Sequence, residues 1–288
     1  MGGAVAFFVS LGASPLAGRL ARRLGAVDVP DGGRHRHARP TPRMGGLGVF
    51  LGVAAAFLLA PRGAASACLV SGGALTVALG MTDDVFSLRP WEKLLGMGAL
   101  ACLPPAFGLF PRAVTLGGAV LPLSAPVGAA LAAALTVLCM NAWNLADGAD
   151  GLACTVTLCA MAGLSLAGRR DASWVAAATL GFFPYNAPPA RLFLGDAGAL
   201  LLGYAFSVLL LRSPHLSLAL LLCAAYPLLD LGLAVFRRAR RGQSPFAADG
   251  AHLHHRLRDK GLSPLWLLFA VGAASLALSF LGGWLSWL

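Results

Sequence analysis

Five carboxylates interrupt an apolar chain where charge is costly: the adjacent Asp83 and Asp84, then Asp147 with Asp150, then Asp196. A histidine group, His252, His254 and His255, follows them. Adjacent carboxylates repel, so Asp83 and Asp84 call for a cation or a shared proton. The run Asn141-x-x-Asn144-x-x-Asp147-Gly148-x-Asp150-Gly151 repeats polar groups every three residues, which on a helix is one face. Its two glycines permit a tight turn that brings backbone close to a ligand. These donors are oxygens without thiols, which suits Mg²⁺, with Mn²⁺ as a substitute, rather than zinc.

Asp196 opens an apolar run, where a carboxylate is stabilised and serves equally well as a helix cap or a ligand. Around the histidines no Cys or Glu completes a tetrahedral zinc set, and Arg256 and Arg258 stand beside them, so the loop reads as anion-binding. Arg34, His35, Arg36, His37, Arg39 and Arg43 have the same character, or serve as topogenic charge against anionic lipid. Oxygen donors for Mg²⁺ among Lys, Arg and His suit a diphosphate with its metal. Phosphoryl transfer requires positioning and charge neutralisation above all.

The elements that must position these groups are apolar. The chain is 58% hydrophobic and 12% charged, more apolar than a soluble domain needs. Its long continuous runs predict an all-α polytopic membrane protein, one domain over 1–288, and no barrel. About ten transmembrane helices are expected, near 3–20, 45–60, 64–82, 94–110, 124–143, 152–168, 172–187, 193–211, 215–236 and 264–284. No Lys or Arg precedes the first run, which argues against a cleaved signal peptide and for N- and C-termini outside. That orientation puts 17 of the 22 Lys and Arg residues on the cytoplasmic side. The net charge of +10 is therefore topogenic and no nucleic-acid partner is expected. The same orientation places all five carboxylates and the histidines at the cytoplasmic face, as one active site. The six cysteines lie in apolar segments without metal-ligand spacing and read as small buried residues. Asp230 reads as a packed polar residue inside the ninth span.

With these motifs in hand, the chain resembles the polyprenyl-phosphate N-acetylhexosamine-1-phosphate transferases, glycosyltransferase family 4. The resemblance runs from Val27 to His255: Val27-Asp28-x-Pro30, Pro40-x-Pro42-Arg43-x-Gly45-Gly46, Asp83-Asp84 with Lys93, Asn144–Gly151, Asn186–Gly198, and His252-x-His254-His255. It implies transfer of sugar 1-phosphate from a UDP-sugar to a polyprenyl phosphate, with release of UMP, at the cytoplasmic face of the plasma (inner) membrane. It implies Asp196 as metal ligand with Asn144 beside it, and Asp83 and Asp84 as the catalytic pair. Lys93, Asp147, Asp150 and Asn186 would bind nucleotide and diphosphate. His252, His254, His255, Arg256 and Arg43 would contact phosphate or sugar. His252-Leu253-His254-His255 and Leu88-x-Pro90-x-x-Lys93 resemble the N-acetylglucosamine subgroup, which starts cell-envelope glycans. The peptidoglycan enzyme that transfers phospho-N-acetylmuramoyl-pentapeptide, with three consecutive histidines, is the alternative. A transporter or a non-catalytic membrane relative is the alternative of another class, and a homodimer is compatible with the family. Ala199 stands where the family usually has Ser, and His35 where it usually has Lys.

Overall fold

In hydrocarbon every backbone N–H and C=O must be bonded within the chain, so continuous apolar runs become helices. The computed structural model describes residues 1–30, 39–59, 63–116, 118–244 and 252–287. Arg34, His35, Arg36, His37 and Arg62 lie outside the described residues. The chain is mostly helical. It runs through α1 (Gly2–Leu24), α2 (Gly45–Leu58), α3 (Ala64–Phe86), α4 (Pro90–Ala101), α5 (Leu103–Ala106), α6 (Ala125–Ala146), α7 (Leu152–Leu166), α8 (Ala172–Asn186) and α9 (Gly195–Leu210). A 3₁₀ segment (Leu218–Ala224) leads into α10 (Ala225–Arg240), and α11 (Leu253–Asp259) and α12 (Pro264–Leu285) follow.

Among the described residues, α1, α3, α6, the continuous segment Leu218–Arg240 and α12 are long and apolar enough to cross a membrane. α2, α7 and α9 are apolar and shorter. Each of the ten expected segments contains a helix, but the fourth is broken at Cys102, where Pro104 and Pro105 remove backbone donors. Cys102 is exposed at this break, unlike the other five cysteines. Two small sheets depart from the all-α expectation. β1 (Val27–Asp28) pairs with β2 (Thr41–Pro42). β3 (Ala113–Leu116) lies between antiparallel β4 (Ala119–Pro122) and parallel β5 (His215–Ser217). Such ladders satisfy backbone groups where loops leave the helical bundle.

α9 is the central helix. Every residue from Gly195 to Leu210 except Asp196 is buried, which accounts for its apolar character on all sides. It packs against α2, α3, α6, α7 and α8. Small residues set the closest approaches: a Cβ on Gly80 of α3 would collide with the α9 backbone at Ala197, and one on Gly46 of α2 with the backbone at Gly198. Trp143 of α6 is fully buried, stacks on Phe206 of α9 at 4.8 Å and donates from Nε1 to Thr157 Oγ1 of α7 at 2.8 Å. These contacts fix three helices beside Asn144.

The two ends of the bundle differ. At one, Asp171 Oδ2 accepts from Ser66 Oγ and from Arg212 Nη1, each at 3.1 Å. Asp84 lies at the other end of the same α3, 18 residues from Ser66 and so about 27 Å away, close to the thickness of a hydrocarbon core. α12 repeats this span with exposed Trp266 and Phe269 near its start and exposed Trp284 and Trp287 at its end, an aromatic belt at each interface.

Replacing Gly80 by Ala is expected to cost about 1–3 kcal/mol by forcing α3 off α9. Gly98→Ala, with open space around its Cβ, is the matched control and should cost nothing. Thermal unfolding in one detergent compares the two, and equal midpoints would contradict the close packing.

Candidate active site

The site forms where the starts of α4 and α9 meet the ends of α3 and α6. Pro90 opens α4, and the Arg89 backbone N–H donates to Glu92 Oε2 at 2.8 Å, closing the first turn. Lys93 therefore projects from a fixed first turn. Its Nζ lies 2.8 Å from Asp83 Oδ2, 2.5 Å from Asp196 Oδ1 and 3.2 Å from Asn144 Oδ1. The Asn144 amide also donates to Asp196 Oδ1. Four elements thus meet on one ammonium. Two carboxylates brought together repel, whereas a cation within hydrogen-bond reach of both makes two attractive contacts against that one repulsion. The cation wins, and it is what allows Asp83 and Asp196 to face each other.

Asp84 turns the other way. Its Oδ1 accepts from the backbone N–H of Asp196 at 3.1 Å and its Oδ2 from that of Ala197 at 3.2 Å. These are orphan donors at the positive end of α9, so Asp84 caps α9 from another helix. Asp196 is consequently not the cap, and its own carboxylate is left for Lys93 and Asn144. Arg43 supports the same joint: Nη2 donates to Asp84 O at 3.2 Å and Nε lies 3.8 Å from Asp84 Oδ1. Asp83 Oδ1 accepts from Leu88 N at 2.8 Å, which ties the α3–α4 turn.

The glycine turn after α6 supplies the next wall. Asp147 is half-buried, and desolvation raises it well above the usual carboxylate range, with Asp196, Asp84 and Asp150 adding to the effect. Asp150 Oδ2 accepts from Ala190 N at 3.0 Å. Asn186 is buried; its Oδ1 accepts from Gly151 N at 3.1 Å and its Nδ2 donates to Leu192 O at 3.2 Å. Asp150 and Asn186 thus brace the two loops against each other. Asn141 turns away, donating to Val137 O at 3.0 Å.

The histidines close the far side. A Cβ on Gly148 would collide with the His254 ring, so the glycine is the seat for that imidazole. His254 is 1% exposed, and neither ring nitrogen has a partner. Burial, followed by the charge of His255, pushes it down to about 3, so the ring is neutral at physiological pH. His255 lies 4.2 Å from it, centroid to centroid. Arg256 is exposed on the same helix. His252 contacts Asp230, which joins the site through this contact. Its signal was available: it is a lone carboxylate inside an apolar helix. Ala199 is fully buried one turn after Asp196.

Asp83, Asp196 and Asn144 bring two carboxylate oxygens and an amide oxygen toward one point. The Lys93 ammonium holds that point, and donors that are all oxygens are the kind Mg²⁺ takes. Among the described residues no three His, Cys, Asp or Glu side chains group so as to hold a metal ion.

Comparison with known proteins gives the family. Residues 66–213 match the model of glycosyl transferase family 4. The chain is 34% identical to the decaprenyl-phosphate N-acetylglucosaminephosphotransferase of Mycolicibacterium smegmatis, over 89% of this chain and 76% of the relative. The Mycobacterium leprae protein of the same name is also 34% identical, over 95% and 82%. The undecaprenyl-phosphate alpha-N-acetylglucosaminyl 1-phosphate transferase of Escherichia coli K12 is 28% identical, over 91% and 77%.

Lys93→Met should leave Asp83 and Asp196 facing each other without a counter-charge, at a cost of about 3 kcal/mol or more. Adding Asp83→Asn should recover most of that loss. Unfolding midpoints of the single and double variants measure it, and a double variant no more stable than Lys93→Met would contradict the shared-cation arrangement.

Proposed function

The chain belongs to glycosyl transferase family 4, and from that premise we propose that it transfers N-acetylglucosamine 1-phosphate from a UDP-sugar to a polyprenyl phosphate such as undecaprenyl phosphate. UMP is released and the lipid-linked sugar starts a cell-envelope glycan. The observation that carries this reading is the convergence of Lys93, Asp83, Asp196, Asn144 and Asp84 at one end of an apolar bundle, with the His254 seat on Gly148 beside them. A lipid phosphate held at the interface meets a soluble nucleotide there. The basic loops favour the cytoplasmic face of the plasma membrane for this end. The names of the relatives and the His252-Leu253-His254-His255 motif favour the N-acetylglucosamine substrate over the muramoyl-pentapeptide one.

The chemistry follows from the partners each group already has. A phosphate monoester has its second pKa near 6, so the lipid phosphate is mostly dianionic at neutral pH and needs little help from a base. Its oxygen attacks the sugar-bearing phosphorus, the bond to the UMP oxygen breaks, and UMP carries the charge away. Both oxygens of Asp84 are committed to the α9 N-terminus, and those of Asp83 to Lys93 and Leu88 N, so the pair positions and does not attack. Asp196 and Asn144 would hold Mg²⁺, which when bound neutralises charge on the diphosphate oxygens. Lys93 supplies positive charge at the same point, and Arg43 supplies it beside Asp84. Asp147, Asp150 and Asn186 shape the nucleotide side, and His254 and His255 meet phosphate or sugar.

Protein in nanodiscs with undecaprenyl phosphate and Mg²⁺, offered UDP-GlcNAc, UDP-GalNAc and UDP-MurNAc-pentapeptide in parallel, tests this. UMP release should be fastest with UDP-GlcNAc, and Asp196→Asn should lower it by about a hundredfold or more. Release from none of the three sinks the proposal, and full activity in Asp196→Asn removes the metal assignment. Donor labelled in the sugar-bearing phosphate should leave no label on the protein; label trapped on Asp83 or Asp84 would overturn their positioning role.

A further inference from the structure

Asp230 is a carboxylate buried to zero exposure in the apolar helix α10, with no part in the chemistry above. An isolated charge there would be unfavourable by several kcal/mol, so its partners say what it is for. Oδ2 lies 2.9 Å from His252 Nδ1, and Oδ1 accepts from the Leu253 backbone N–H at 2.8 Å. Leu253 is the first residue of α11 and His252 its N-cap, and no side chain within α11 satisfies that N–H. The one carboxylate therefore fixes both the ring of His252 and the start of the helix that carries His254, His255 and Arg256. The His252 and His254 rings are parallel, with centroids 5.7 Å apart, and His254 is seated on Gly148. A displaced His252 would move the whole set relative to Asp147.

We propose that Asp230 is a positioning residue that acts through His252, holding the imidazole with its proton on Nδ1 and presenting Nε2 to a phosphate-class ligand. The chemistry of the contacts gives the tautomer. An aspartate carboxyl is ionised at neutral pH and has no proton to give, so Nδ1 carries the hydrogen. A second proton on Nε2 makes the ring an N–H donor whose charge Asp230 balances across the ring, the arrangement by which a carboxylate orients a working histidine. The ligand class rests on the function proposed above. The Asp230–His252 contact and the tautomer do not.

Asp230→Asn separates the two jobs. Leu253 N–H still needs an acceptor, so the amide oxygen stays there and the amide N–H₂ faces Nδ1. His252 must then carry its proton on Nε2. The experiment is ¹⁵N-histidine NMR of the full-length protein in nanodiscs, with His252→Gln used to assign the signal, together with UMP-release kinetics. His252 should report a protonated Nδ1 in the wild type and a bare Nδ1 in Asp230→Asn. kcat/KM should fall about tenfold or more in Asp230→Asn, and the same substitution in a His252→Ala background should add less than twofold. An Nε2–H tautomer in the wild type, an unchanged His252 signal in Asp230→Asn, or losses that multiply in the double variant would each overturn the proposal. If no protein releases UMP from any UDP-sugar, the proposed function fails, while the tautomer is still read from the spectra. Asp230→Ala is not used alone, because it also strips the cap from α11.

Discussion

Several carboxylates must share a small volume at the edge of hydrocarbon, and compensating their charge is the condition on which the rest of the structure depends. Two sources of positive potential do it. Lys93 places one ammonium between Asp83 and Asp196, and the N-terminus of α9 takes Asp84. Both require helices to come very close, and Gly46, Gly80 and Gly198 are where that happens. The glycine contacts, the buried Trp143 and the central position of α9 all serve one geometric end, which is to hold fixed charges where mobile charges will arrive.

The same device occurs twice. Asp84 of α3 caps α9, which bears Asp196, and Asp230 of α10 caps α11, which bears His254. In each case the cap comes from a different helix, so the cap also joins two elements. A local cap from Ser or Asp would have stabilised one helix end alone. Here the interaction energy also sets the distance between neighbouring helices, and with it the distance between site residues.

Much of this was legible in the sequence. Asp83, Asp84, Asp147, Asp150 and Asp196 stood out because charge beside apolar runs is rare, and Lys93 and Asn144 followed from spacing and family resemblance. What was not legible is long-range. Asp196 and a cap at its own helix start looked interchangeable, because the true cap lies 112 residues away in Asp84. Asp230 looked like packing, because its partner His252 comes after a basic loop. The family resemblance implies Asp150 and Asn186 as nucleotide ligands, and what it does not show is that both bond backbone groups of facing loops. β3 and β5 escaped notice because a parallel pair about a hundred residues apart leaves no periodicity in a four-residue strand. The ten apolar segments were found as segments, but their lengths do not make ten equal spans; among the described residues, five helices have the length and character to cross.

The central claim is that Asp196, held by Lys93 and Asn144, belongs to a site for a hard cation and a diphosphate. Electron paramagnetic resonance of Mn²⁺ titrated into the protein in nanodiscs, with and without UMP, tests it without turnover. The account predicts one Mn²⁺ site in the wild type, tighter when UMP is present, and lost in Asp196→Asn. Equal Mn²⁺ binding by the wild type and Asp196→Asn, or none in either, would contradict it.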